Sequence, residues 1–107
     1  MSAELIAVTI TAPNKDQLTN LCRELIKFRL AASANIIPTV KSVYWWEDET
    51  HEHQESLAML HTQSDLFERL CQEVRRNHPY VIPQIVALPI RSTLESYGAW
   101  IFANTSE

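Results

Sequence analysis

Glycine is nearly missing: Gly98 is the only one in 107 residues. Phosphate-cradling P-loops and dinucleotide-binding fingerprints each need several glycines, for tight turns and for close approach of backbone to phosphate. This chain can hold neither. Cysteine is scarce as well. Cys22 and Cys71 stand far apart without C-x-x-C spacing, which argues against a zinc cluster or a disulfide framework. Positive charge is outnumbered, with nine Lys and Arg against thirteen Asp and Glu, a formal balance of −4. A dedicated nucleic-acid binder carries a basic patch or stripe. The one adjacent basic pair, Arg75-Arg76, ends a predicted helix, where it complements the helix dipole. No apolar run approaches the roughly 20 residues of a membrane helix. Met1-Ser2-Ala3-Glu4 lacks the basic region of a secretory signal. The expectation is a cytoplasmic protein that engages neither nucleic acid nor membrane.

What is present is concentrated in Ser42-Val43-Tyr44-Trp45-Trp46-Glu47. Two adjacent tryptophans sit in a run that reads as strand. Alternation puts Tyr44 and Trp46 on one face and Val43 and Trp45 on the other. Each Trp has a large area to hide, and a domain of this size has one core. Both faces of the strand therefore need a cover, and another copy of the chain is the simplest second one.

The remaining elements follow in order. Leu5–Ile10 is a short apolar run stopped by Pro13, a buried strand. Asn14 is an N-cap with Gln17 as its capping-box partner. Leu18, Leu21, Cys22, Leu25 and Ile26 then mark an amphipathic helix ending near Leu30. Ser33 to Trp46 is extended, with Pro38 marking a bulge or an edge. Glu47 to His53 reads as a polar turn, and Ser56 to Thr62 resumes as strand, so the two make a long hairpin. Ser64 or Asp65 is placed to cap a helix with the stripe Leu66, Phe67, Leu70, Cys71 and Val74. Ile85–Ile90 is a fourth strand. Ser92 and Glu95 have capping-box spacing before a short helix bearing Leu94, Tyr97, Trp100 and Ile101. Strand, helix, strand, strand, helix, strand is the ferredoxin-like α+β pattern, βαββαβ, here with an extra C-terminal helix. One domain is expected over residues 1–107. Its helices would lie on one sheet face, leaving the other for a partner copy.

Chemistry has few candidates. His51 and His53 are two apart, so on extended chain both imidazoles project to one side and can share a metal. Glu49, Glu52 and Glu55 would add oxygen donors, a mixed set suited to copper or zinc. The plain alternative is a solvated hairpin tip, since a specific site needs three or four fixed ligands. His61 reads as an edge residue or an interface hydrogen-bonder ahead of a metal ligand, and His78, before Pro79, as a residue that hydrogen-bonds a free carbonyl or packs in the turn. Cys22 and Cys71 fall on helix stripes and read as structural. The aromatics Tyr44, Trp45, Trp46, Tyr80, Tyr97 and Trp100 suit packing better than a pocket. No nucleophile elbow is present, and no organic cofactor is expected.

Four stretches in order carry a resemblance. They are Leu30-Ala31-Ala32 leading to Asn35-Ile36-Ile37-Pro38, Ser42 to Glu47, His78-Pro79-Tyr80 with Pro83, and Tyr97 with Trp100-Ile101. Together, from about Leu5 to Phe102, they resemble the CutA divalent-cation tolerance proteins. The resemblance implies a ferredoxin-like fold in a tight homotrimer, with hairpin strands pairing between subunits. It also implies a non-enzymatic part in the response to copper and other divalent metal ions. The CutA trimer resembles PII-type signalling proteins, so the alternative is a module binding a small anionic effector at a subunit cleft, with Lys41 and Arg91 as the best basic candidates. The chain departs from the family pattern at several places. Ser33 stands where the family usually has Cys, His61 where Lys is usual, Thr39 and Asp48 where Gly is usual, and Val81 and Gln84 where Glu is usual.

Overall fold

Strand β1, Leu5–Ala12, takes the apolar run predicted to be buried, and Val8 and Ile10 are fully enclosed. In this computed structural model, which describes residues 3–106, Pro13 ends the strand and Asn14 caps helix α1, Lys15–Lys27. The Asn14 side chain accepts the Gln17 N–H at 2.9 Å, the capping contact that the spacing predicted. Met1 and Ser2, part of the start read above for a secretory signal, and Glu107 lie outside the described residues.

Helix α1 stops three residues before Leu30. Arg29 adopts φ 60°, and the N–H groups of Arg29 and Leu30 reach back to Ile26 and Leu25 carbonyls, both at 2.9 Å. This is a Schellman closure with arginine in the position that glycine usually fills. It turns the chain into β2, Ser33–Trp46, which pairs antiparallel with β3, Glu49–Gln63.

Expectation and structure differ at the hairpin end. The polar stretch Glu47–His53 is not a turn. Only Glu47 and Asp48 form the turn, with φ 52° and 63°, and pairing resumes at once with Trp46 opposite Glu49. Two positive-φ residues joining antiparallel strands are the signature of a type I′ hairpin, normally written Asn-Gly. Its absence hid the turn. His51 and His53 therefore lie within strand β3. Pro38 behaves as expected: the β2–β3 register slips between Ile37 and Val40, and the buried Ser56 hydroxyl donates to the Pro38 carbonyl at 2.6 Å.

A single 3₁₀ turn, Ser64–Leu66, leads into α2, Phe67–Asn77. Ser64 does not cap α2; its hydroxyl accepts the Glu4 N–H instead. Strand β4, Ile85–Pro89, is followed by α3, Glu95–Ala103. The Ser92–Glu95 capping box also fails to form, because Leu94 is the residue preceding α3 and no side chain caps it.

The four strands form one antiparallel sheet in the order β2-β3-β1-β4. Val8, Ile10, Ala58 and Leu60 point from one face into a core shared with Leu18, Cys22 and Leu25 of α1 and with Leu70 and Val74 of α2. The opposite face is less bare than expected. Helix α3 lies across the end marked by Leu5 and His61, with Gly98 and Ile101 buried and Leu94 and Trp100 turned outward. A Cβ on Gly98 would sit 2.8 Å from Thr93 Oγ1 and 3.2 Å from Leu5 Cδ1, so the single glycine allows α3 to approach β1. Strand β1 runs out at Ala12, opposite Ser56. Beyond it, Val40–Trp46 and Glu49–Glu55 continue as a free-standing two-stranded ribbon. Trp45 is 73% exposed there and Val43 64%, so the described residues leave that face uncovered.

Candidate functional site

The ribbon's register decides which side chains meet. Tyr44 stands opposite His51, Ser42 opposite His53 and Trp46 opposite Glu49. Directly opposed residues share a face, and alternation adds every second neighbour. Tyr44, Trp46, Glu49, His51, His53 and Glu55 thus line one side, while Val43, Trp45 and Glu52 line the other.

Tyr44 and the two histidines form a compact group. The Tyr44 ring stacks on His51 at 5.6 Å between centroids and meets His53 edge-on, also at 5.6 Å. The two imidazole centroids are 6.0 Å apart. Each ring has one nitrogen already engaged. His51 Nε2 donates to the Trp46 carbonyl at 3.2 Å, which leaves the lone pair on Nδ1. His53 Nδ1 lies 2.7 Å from the Tyr44 hydroxyl. When Nδ1 carries the proton, the phenol oxygen accepts it and Nε2 keeps its lone pair. Metal-bound histidines characteristically donate their second nitrogen to such a partner, which fixes both tautomer and ring direction.

The carboxylates do not close around this pair. Glu52 is on the far face, 3.6 Å from Lys41. Glu55 is buried, and its Oε2 accepts the Tyr80 hydroxyl at 2.7 Å. Burial and the adjacent Glu55 push the Tyr80 phenol well above its usual range. Among the described residues no three His, Cys, Asp or Glu side chains form a metal-binding group.

A second polar cluster, which the sequence reading missed, sits at the other end of the sheet. Ser33 and His61 are direct cross-strand partners. His61 Nδ1 is 2.8 Å from the Tyr97 hydroxyl of α3, and Ser33 Oγ is 3.1 Å from that hydroxyl. Tyr97 in turn stacks on Trp100 at 5.5 Å. Two of the departures from the CutA pattern are therefore one contact, and together they anchor α3.

The other candidates are placed plainly. His78 Nε2 donates to the Thr11 carbonyl at 2.6 Å, and its Nδ1 accepts the Tyr80 N–H at 3.1 Å. Both nitrogens are used in pinning the turn after α2. Burial pushes the Cys22 thiol up to about 11, and burial together with Glu68 also raises Cys71. Neither is a thiolate at neutral pH, as structural cysteines should be. Lys41 lies beyond the Ala12 end of β1, whereas Arg91 follows β4 at the Leu5 end, so one chain does not bring them together. A shallow cleft of about 370 Å³ opens beside Asn14, Lys15, Thr39 and Glu55.

Fold and site define a small α+β protein whose distinctive aromatic and histidine side chains stand on an exposed hairpin. The chain belongs to the CutA1 divalent ion tolerance protein family, whose model matches residues 6–104. It is 39% identical over 98 residues to the divalent-cation tolerance protein CutA of Thermus thermophilus, covering 92% of this chain and 95% of that one. It is 37% identical over 102 residues to the chloroplastic protein CutA 1 of Oryza sativa, but spans only 58% of that longer chain. The solved structure of the Thermus thermophilus protein superimposes with a TM-score of 0.93 at 37% identity, over 95% of this chain and 99% of that one. The Oryza sativa CutA1 structure gives 0.94 at 36%, over 99% and 97%. No described helix is long and apolar enough to cross a membrane.

Proposed function

We propose that this protein is a non-enzymatic homotrimer of ferredoxin-like protomers, located in the cytoplasm, that takes part in the response to divalent metal ions such as copper. It does so by holding the ion directly at His51 and His53. The relatives are named for divalent-cation tolerance, and the strand order β2-β3-β1-β4 supports the ferredoxin-like reading. The trimer reading is supported by the ribbon that leaves Trp45 and Val43 bare and by an unpaired β2 edge, a combination that favours pairing with another copy.

One observation carries the metal reading. Both imidazoles face the same side of β3, and each has its second nitrogen against an oxygen partner, the Trp46 carbonyl and the Tyr44 hydroxyl. This is the outer shell a nitrogen-ligated copper or zinc ion requires. Calorimetric titration with copper and zinc tests it. The wild-type chain should bind either ion far more tightly than the His51→Ala/His53→Ala double variant. Equal affinities would refute the site. The PII-like alternative predicts binding of a small anionic effector with no metal. It has less support, because Lys41 is paired with Glu52 and is remote from Arg91.

A further inference from the structure

We draw no further inference here: the strongest candidate, the Ser33–His61–Tyr97 side-chain cluster between the sheet and α3, spends its hydroxyl and imidazole hydrogen bonds on holding α3 in place, and nothing in the structure shows a ligand or partner that would meet it.

Discussion

Replacing Trp45 with alanine separates a ribbon that is covered in solution from one that is not. In the single chain Trp45 is 73% exposed, so truncation removes almost no burial from an isolated protomer. A surface change of that kind alters stability by less than about 0.5 kcal/mol. In the proposed trimer the accounting differs. A tryptophan offers up to roughly 250 Å², and the exposed share is then about 180 Å². At about 25 cal/mol per Å² this is worth about 4.5 kcal/mol per chain, or roughly two-thousandfold in the association constant. Sedimentation velocity across a dilution series reads that directly. Guanidinium unfolding at two protein concentrations gives a second measure, since a stability set by assembly depends on concentration. The Trp45→Ala chain should dissociate at concentrations where the wild type stays assembled, with a lower and more concentration-dependent midpoint. Identical sedimentation and midpoints for the two chains would show that Trp45 stays bare, and the argument from two-sided burial would fail.

Three further outcomes follow from local geometry. Asp48→Gly should stabilise the chain by about 0.5–1 kcal/mol in chemical denaturation, because φ 63° costs an L-residue energy that glycine does not pay; destabilisation would contradict the type I′ reading. At Gly98, alanine gains up to about 1 kcal/mol in helix propensity but meets Thr93 Oγ1 at 2.8 Å, so Gly98→Ala should be near neutral and Gly98→Val should cost about 1–3 kcal/mol by overpacking; a neutral valine would mean that α3 does not press on β1. In an alkaline titration followed by ultraviolet absorbance, Tyr80 should give a component above the ordinary tyrosine range. Its folded pKa is raised, so this contribution to stability is fully present below the ordinary tyrosine range near 10 and is lost only as pH rises through the higher folded value. Tyr80→Phe should delete the late component and Glu55→Gln should move it down; a late component surviving Tyr80→Phe would assign it elsewhere.

The sequence was most legible where one local signal and the core agreed. The strand read at Leu5–Ile10 follows from its apolar run and extends to Ala12, the stripe of α1 follows from helical spacing, and Asn14 caps as its spacing said. It was least legible where tertiary contacts decide. The polar stretch Glu47–His53 read as a turn because the ribbon leaves the core and shows no apolar face, yet from Glu49 onward its backbone is paired with β2. Ser64 looked like a cap, but the Glu4 N–H lies closer to hand. Of the face read as Leu94, Tyr97, Trp100 and Ile101, α3 buries Ile101 but leaves Leu94 and Trp100 exposed, and it buries Gly98 through the close approach to Leu5. His51 and His53 were singled out as candidates from spacing alone. Their partners Tyr44 and the Trp46 carbonyl were not, because strand register joins them. The Ser33–His61–Tyr97 cluster spans 64 positions in sequence and left no local trace. Reading Ser33 and His61 as two separate departures concealed that they are one contact.

The most direct test of the account is a crystal structure of the full chain grown with copper or zinc and measured at the metal's absorption edge. The account predicts an anomalous peak within bonding distance of His51 Nδ1 and His53 Nε2, with the Tyr44 hydroxyl and the Trp46 carbonyl still holding the opposite nitrogens. A peak elsewhere on the chain, with these two imidazoles unligated, would contradict it.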